Sequence, residues 1–587
     1  MAIGSFLVQE GVTGMPVYWT GPRGLEVSGE RAYPMHYEQP GVSLQGAIAR
    51  HARACQVRSE DYDIFRNPVH LPTALIEYWF GQVCEMWSTF DSDVNRNRQI
   101  ASNTWTTSEA VFCTLQAMSA SCLVDSMPLL QNSLPSLVSQ AIAVVNHRML
   151  VLRSLPVAET GNVAIDLVFA VFALGTSLHW SEPSVSGDSL LSDARILLDL
   201  WESSSHGPDL LPLAYFQQAL IYWEMLHCVT NSNSGHVKLN ERRRKYQDRL
   251  RYAMGMNSDA AADQIIYQQL PESPKAFQGT RPNSWCGLSS EVIDLFGQTL
   301  ALYRNARDRQ RQRKASTAAA TRDAVCDIGI AHELLRELLA MNFDDTVRSD
   351  ELLGFSLHTG DQKTPLTHLK KIAEAYHLAS LLQLYLAFDD LDIEPLTDRA
   401  RSTGANSVGV ENFVPSGTMS RPQTLVLLAL KLIKILEQIP AESGSRCMQP
   451  VLYISAAAAL KSEIDPAPGA FFQETDSLVG VNSDECADMS TSYLCGWQPD
   501  QASFDDLSFL QTSTPTVTQA NLEISRARHF IMKRLSLLQQ TLPSRPMGVA
   551  TNLVKAIWAT YDNEIIGLDQ LHWLDIMMDT GLQTLFR

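Results

Sequence analysis

Apolar residues recur at helical spacing along most of the chain. In the segment from Leu75 to Trp87, apolar side chains follow one another at spacings of three and four residues, which places them on one face of a helix. The segment from Leu369 to Leu386 keeps the same spacing. The alternation of apolar and polar residues between hairpin turns that is typical of β-strands is almost absent. The sequence therefore predicts an all-α protein.

The helical segments fall into two groups. The strongest in the first group are QAIAVVNHRMLVLRSL, AIDLVFAVFALGTSL and LPLAYFQQALIYWEMLHCV, and those in the second are AHELLRELLAM, PQTLVLLALKLIKILEQI and RARHFIMKRLSLLQQ. A chain of 587 residues exceeds the size that one hydrophobic core usually reaches, about 250–300 residues. We therefore predict a large, irregular multi-helix domain in two packed halves, 71–303 and 331–587.

Three segments interrupt the helical pattern. Residues 1–70 are rich in glycine and proline and show no sustained period, which predicts a poorly ordered N-terminal arm. Residues 304–330 begin with RNARDRQRQRK and are predicted to form a basic helix or linker. Residues 462–525 contain eleven acidic residues and no lysine or arginine, so they are predicted to form a flexible acidic loop insertion.

The overall charge limits the partners that the chain can bind directly. The sequence has 46 Lys+Arg against 64 Asp+Glu, a net charge of −18, and this field repels phosphate. Direct contact with nucleic acid would therefore need a local basic patch. Two clusters are candidates, and each also fits a nuclear-import signal or an exposed helix face. Their residues are Arg242, Arg243, Arg244, Lys245, Arg307, Arg309, Arg311, Arg313 and Lys314.

Several classes of protein and site are not expected. The best candidate for a membrane span, Leu167–Leu178, is only a dozen residues long and suits a buried helix. The ten cysteines are scattered and none forms a C-x-x-C pair, so we predict reduced, mostly buried thiols rather than disulfides or a zinc site. The common signatures of hydrolases, nucleotide-binding loops and zinc proteases are absent, and we expect neither catalysis nor a bound cofactor.

One acidic cluster leaves an enzymatic alternative open. Asp389, Asp390 and Asp392 follow the apolar segment LLQLYLAF, and clustered aspartates can hold Mg²⁺ ions that bridge a diphosphate, as in all-α prenyl-diphosphate enzymes. The second acidic motif of such enzymes is missing downstream, and the other interpretation of the cluster is a solvated loop. A helical scaffold with no role in transcription is a further alternative.

Aromatic residues are distributed through the predicted acidic insertion. Phe471, Phe472, Trp497, Phe504 and Phe509 lie among acidic and small polar residues. This composition is typical of activation segments, which bury such rings in a groove of a coactivator. The other interpretation is a long solvated loop.

The order of the helical segments resembles the fungal-specific transcription factor domain, the regulatory region of the fungal Zn2Cys6 binuclear-cluster regulators. LIEYWFGQVCEMWSTFDS and EAVFCTLQAMSASCL look like its opening helices. WCGLSSEVIDLFGQTLALYRNARD is similar to its central segment, with Gly287, Leu288 and Ser289 as the G-L-S element. IAEAYHLASLLQLYLAF is similar to a helix of its second half. MQPVLYISAAAALKSE, NLVKAIWATYDNE and LHWLDIMMDTG, with Trp558 and Trp573, look like its closing helices.

The resemblance implies a nuclear, pathway-specific transcriptional regulator, an activator of a metabolic or secondary-metabolite gene set. The family's DNA-binding module needs six cysteines that hold two zinc ions, and this sequence lacks that pattern. Zinc is therefore expected only if an upstream cluster exists. We expect contact with DNA only indirectly or through a missing N-terminal module, with a DNA-binding partner or the transcription machinery as partners. A small-molecule effector and a homodimer are further expectations.

Overall fold

We describe the protein from a computed structural model. The structure describes residues 70–154, 163–183, 187–204, 210–230, 236–253, 282–288, 290–312, 318–341, 358–392, 420–461, 519–563 and 571–587.

The described residues fold into α-helices joined by turns. In the first part of the chain these are α1 (Leu71–Tyr78), α2 (Cys84–Trp87), α3 (Arg96–Thr104), α4 (Glu109–Leu123), α5 (Leu134–Ser154), α6 (Ile165–Ser181), α7 (Asp188–Ser204), α8 (Leu210–Thr230) and α9 (Val237–Ala253). In the second part they are α10 (Ser290–Gln312), α11 (Ala318–Ala340), α12 (Leu366–Ala387), α13 (Arg421–Glu437), α14 (Pro450–Ala457), α15 (Gln519–Thr541), α16 (Ser544–Asn563) and α17 (Trp573–Thr580). A π-helical segment, Trp79–Val83, joins α1 to α2, and short 3-10 helices lie at Pro128–Leu130 and Gly444–Met448.

Local sequence sets several of these helix boundaries. α4 begins after Ser108, whose hydroxyl accepts a hydrogen bond from the N–H of Val111 (3.4 Å). α13 begins after Ser420, which forms a reciprocal capping box with Gln423. α17 ends at Gly581, whose φ of 68° lies in the left-handed region that glycine adopts without steric cost.

Two large clusters of buried apolar side chains form the core. The first is built mainly from α1 to α8 and is rich in tryptophan, including Trp79, Trp180 and Trp223. The second is built from α8 to α17 and also takes in side chains that follow α17. Neighbouring residues of α8 face different clusters, since Tyr222 lies in the second and Trp223 in the first. α8 is therefore the element at which the two clusters meet.

The helix α10 lies at the centre of the second part. It packs against α8 on one side and α12 on another, and α16 contacts α6 of the first part. The all-α prediction is confirmed: the described residues contain no β-strand and only an isolated bridge between Asn283 and Gly287. The division into halves at 71–303 and 331–587 stays a prediction.

The three interrupting segments are only partly described. Residues 1–69 and 462–518, which contain nearly all of the predicted arm and acidic insertion, lie outside the described residues. The last seven residues of the predicted insertion belong to α15, where Ile524 is buried. The predicted basic segment 304–330 is divided between the end of α10 and the beginning of α11.

Two further properties were predicted from composition. Across the described ranges, we find no helix that combines the length and the apolar character needed to cross a bilayer. None of the described cysteines forms a disulfide bond. All of them are buried except Cys122, which is half-buried.

Candidate functional site

The side chain of Arg587 lies buried where the two clusters meet. Only 1% of the residue is exposed, and its guanidinium carbon lies over three aromatic rings. The distances from Cζ to the ring centroids are 4.3 Å for Trp285, 4.8 Å for Tyr222 and 5.6 Å for Trp87. Trp87 and Trp285 belong to the first cluster and Tyr222 to the second. A cation placed over aromatic faces is attracted by their quadrupoles, more strongly when it is desolvated as here.

Hydrogen bonds fix Arg587 at both ends of the residue. Its Nη2 donates to the main-chain oxygen of Trp87 (2.7 Å). Its own main-chain oxygen accepts from Nε2 of His179 (3.2 Å) and from Nε1 of Trp180 (3.1 Å). We call Trp87, His179, Trp180, Tyr222 and Trp285 together the Arg587 site. It binds a guanidinium at one end and a carbonyl-type oxygen at the other.

Several donors in the Arg587 site have no acceptor among the described residues. They are Nε and Nη1 of Arg587 and the indole nitrogens of Trp87 and Trp285. Buried donors are rarely left unpaired, because each loses its hydrogen bond to water without replacing it. Burial also lowers the pKa of His179 to about 3. The imidazole is therefore neutral at physiological pH and donates from Nε2 without adding a second cation.

A short turn before α10 positions Trp285 in this site. Asn283 and Gly287 bond to each other in both directions, each N–H donating to the other's main-chain oxygen at 2.8 Å. Gly287 closes the turn with φ of 72°, in the left-handed region that strains other residues. The Asn283 amide donates to the main-chain oxygen of Tyr215 (3.2 Å) and to Oε1 of Gln218 (2.8 Å), both on α8.

The same turn is bonded to the segment that follows α2. Thr89 donates from its N–H to the main-chain oxygen of Ser284 (2.9 Å) and from its hydroxyl to that of Asn283 (3.1 Å). Of the predicted G-L-S element, Gly287 and the buried Leu288 therefore lie in or beside the turn that carries Trp285. Ser289 lies outside the described residues.

The basic clusters are mostly bound into ion pairs between helices. Arg243 of α9 and Arg309 of α10 both pair with Asp327 of α11, whose carboxylate is buried. Arg242 donates from Nη1 and Nη2 to both carboxylate oxygens of Glu337, at 2.6 and 2.9 Å. These pairs tie α9 to α10 and α11.

Two more arginines of the second cluster bind the buried carboxylate of Asp575 in α17. The Arg307 Nε lies 3.3 Å from Oδ2, and the Arg311 Nη2 lies 3.0 Å from Oδ1. The hydroxyl of Tyr303 also donates to Asp575. His572 stacks on Tyr303 with ring centroids 4.1 Å apart, and burial together with the charge of a neighbouring arginine lowers its pKa to about 3.

The remaining residues of the two basic clusters differ in accessibility. Arg244 and Lys245 are exposed on α9. Arg313 and Lys314 lie outside the described residues, as do the five aromatic residues singled out in the acidic segment, Phe471, Phe472, Trp497, Phe504 and Phe509.

The aspartate cluster after α12 lies in an exposed turn. Asp389 has 94% of its side chain exposed and pairs with Nε of Arg421 at 3.3 Å. Arg421 also donates to the main-chain oxygens of Asp389 and Leu391, at 3.0 and 3.1 Å. It donates as well to the main-chain oxygens of Tyr385 and Phe388, both at 2.6 Å, and so binds carbonyl groups at the end of α12 that the helix leaves unpaired. Among the described residues, no group of three or more His, Cys, Asp and Glu side chains could hold a metal ion.

Sequence reasoning did not find Arg587 or Asp575. Asp575 lies in an amphipathic helix, LHWLDIMMDTG, where an acid ordinarily faces solvent. Arg587 follows the apolar string TLF, and a single arginine there carries no sequence signal of burial. An inspection of tryptophans would have found Trp87 and Trp285 as core residues but not the cation between them.

The profile of the fungal-specific transcription factor domain matches residues 74–461, about two-thirds of the chain. The chain belongs to this family. No curated protein and no solved structure gives a significant match. The chain is thus a fungal transcriptional regulator, and the resemblance inferred from the helical segments is confirmed. The closing helices with Trp558 and Trp573 lie beyond the matched residues, yet they contribute to the same second cluster as α10 and α12.

Proposed function

We propose that this chain is a pathway-specific activator of a metabolic or secondary-metabolite gene set that works in the nucleus. The observation that carries the proposal is the family match, which spans residues of both buried clusters. The sequence has no six-cysteine zinc cluster, so contact with DNA would be made by a DNA-binding partner or by an upstream module. The helical domain would then serve as the regulatory part.

The test of the DNA-binding part of this proposal is the 5′ end of the native transcript. A transcript that extends upstream into a six-cysteine cluster would give the regulator its own zinc module and a DNA half-site. A transcript that starts at Met1 would assign DNA binding to a partner. If neither form of the chain can be recovered from target promoters, a role in transcription is contradicted.

The acidic segment is the proposed activating part of the chain. Residues 462–518 carry ten acidic residues and no lysine or arginine, and their aromatic residues stand among acidic and small polar residues. The acids keep the rings in water until a coactivator groove buries them. Because α15 begins at Gln519 and Ile524 is buried in the core, the segment to be tested ends at residue 518.

A fusion of residues 462–518 to a heterologous DNA-binding domain tests this assignment. We expect the fusion to activate a reporter. A variant with the five aromatic residues named above changed to serine should lose activation, although its net charge is unchanged. A second variant with the acids changed to amides should lose part of the activity. Equal reporter output from the fusion and from the DNA-binding domain alone would remove the activation assignment.

Nuclear import is proposed to use the exposed end of the first basic cluster. Arg244 and Lys245 are exposed, whereas Arg242 and Arg243 on the same helix are bound to acids of α11. We expect Arg244→Ala with Lys245→Ala to move a fluorescently tagged chain from the nucleus to the cytoplasm without lowering its melting temperature. Arg243→Ala is the matched control, which should lower the melting temperature instead. Unchanged nuclear accumulation of the double variant would refute this import site.

A further inference from the structure

The Arg587 site has the chemistry of an arginine-recognition site. Its cation end consists of the rings of Trp87, Tyr222 and Trp285 with the main-chain oxygen of Trp87 as an acceptor. Its oxygen end consists of the N–H groups of His179 and Trp180. A planar guanidinium suits stacking on several rings, and an ammonium group suits it less because it is a compact, strongly hydrated charge.

The resident Arg587 does not satisfy its own hydrogen bonds there. Nη2 is bonded, but Nε and Nη1 are buried and have no acceptor among the described residues. Both would be hydrated if the residue left the site. The loss of these bonds opposes the attraction of the rings. Arg587 is therefore held less tightly than a fully bonded arginine would be, and a ligand guanidinium in the same place would leave the same two donors without an acceptor.

The location of the site connects its occupancy to the packing of the domain. Of the three rings around the guanidinium, those of Trp87 and Trp285 belong to the first cluster and that of Tyr222 to the second. The residues before Arg587 are anchored in the second cluster through Leu585 and Phe586. An occupant of the site therefore contacts both clusters at once, so its exchange alters the contact between them.

We propose that the Arg587 site binds a small guanidino compound that carries a carboxylate, of the class of free arginine, and that Arg587 is its internal occupant. The ligand's guanidinium takes the place over the three rings, and its carboxylate accepts from His179 and Trp180. Regulation of transcription by this exchange rests on the proposed function. The binding of the ligand to the site does not rest on it.

Removal of the internal occupant in the full chain tests the proposal. Arg587→Ala empties the cation end of the site and leaves only the main-chain oxygen of residue 587 for the ligand's carboxylate to displace. Arg587→Met keeps the apolar stem in case the alanine variant does not fold. We expect either variant to bind L-arginine in calorimetry with a dissociation constant on the order of 1 mM, as for a ligand of about twelve non-hydrogen atoms. About 10 mM L-arginine should raise the melting temperature of the variant. L-citrulline, which has the same shape without the charge, should do neither.

Three comparisons make the result specific. Adding Trp285→Leu to the Arg587→Met variant should abolish binding of L-arginine. Arg528→Ala is the matched control, since Arg528 stacks over a single ring, that of Trp558, and pairs with a partly exposed aspartate. L-arginine should not restabilise that variant more than it does the wild type. Wild-type protein should bind L-arginine at least about tenfold more weakly than the Arg587 variants, because the tethered residue competes at a high effective concentration.

Three results would overturn the proposal. Equal effects of L-arginine and L-citrulline, or binding that survives Trp285→Leu, would mean that the rings do not recognise a guanidinium. Equal affinity of wild type and variants would mean that Arg587 is not the occupant that the ligand replaces. None of these results depends on a reporter gene, so a failure here is distinct from a failure of the proposed role in transcription.

Discussion

Two buried histidines make the stability of the domain depend on pH. His179 and His572 are 1% and 5% exposed. Burial lowers the pKa of both imidazoles to about 3, and the charge of a nearby arginine acts in the same direction, Arg587 on His179 and Arg304 on His572. Both are therefore neutral in the folded protein at every pH above about 4.

The hydrogen bonds of these histidines fit the neutral form. His179 donates from Nε2 to the main-chain oxygen of Arg587, so its Nδ1 carries no proton. His572 accepts at Nδ1 from the N–H of Leu574 (3.3 Å) and so caps the beginning of α17. Protonation of His572 at Nδ1 would remove this cap.

The size of the effect follows from the shift. In the unfolded chain both histidines return to a pKa of about 6.5, so between pH 6.5 and 3 the unfolded state binds more protons than the folded state. Their contribution to stability is complete above about pH 7 and is lost as the pH falls through 6.5 towards 3. At pH 5, about 1.5 units below the unfolded pKa, each histidine lowers the free energy of unfolding by about 2 kcal/mol. The two together lower it by about 4 kcal/mol.

Urea unfolding at pH 7.5 and pH 5.0 measures this loss. The informative variant combines His179→Gln, whose amide can donate in place of Nε2, with His572→Asn, whose side-chain oxygen is a favourable N-cap. We expect the difference between the two pH values to be about 4 kcal/mol smaller in the variant than in the wild type. Carboxylates titrate in both proteins, so the comparison cancels their contribution. An equal pH dependence in the two proteins would refute the assignment of the acid sensitivity to these histidines.

Three further tests, two of them with a matched control substitution, probe the packing of the domain. Gly287→Ala should lower the free energy of unfolding by about 1–2 kcal/mol, because the φ of 72° at this position strains any residue with a Cβ. Gly548→Ala within α16 has room for the methyl group and should raise the free energy of unfolding by up to about 1 kcal/mol. Chemical denaturation of the two variants measures both changes. Asp575→Asn should lower the melting temperature by several degrees because it removes the carboxylate shared by two arginines, while Asp389→Asn at an exposed turn should leave it unchanged. Gly175→Ala should destabilise the protein by about 1–3 kcal/mol, since its Cβ would overlap the buried ring of Trp223. An unfolding midpoint equal to that of the wild type would contradict this packing.

The fold class and the positions of many helices could be predicted from the sequence. Apolar residues at spacings of three and four place the helices. The periodic segment from Leu369 to Leu386 lies within α12. These features depend on contacts within about one turn of helix, so the local sequence is sufficient to specify them.

The order of those segments also determined the family. Each segment alone is an apolar helix that many proteins could contain. Their order along the chain is what the resemblance used, and the match over residues 74–461 confirms it. The composition of residues 462–525 likewise required no structure, because the absence of lysine and arginine is a property of the sequence.

The roles of the charged residues were decided only by the tertiary structure. In the sequence, the arginines around position 309 form a basic run of the kind expected at a protein surface. In the structure, Arg311 pairs with Asp575, 264 residues further along the chain. The candidate site depends on still longer separations, since Arg587 donates to Trp87 across 500 residues. A charge is buried or exposed according to the partner that the fold brings to it, and periodicity within a helix contains no information about that partner. The sequence by itself therefore determined where the helices lie and which family they form, and the packing of distant helices determined which cations are buried among them.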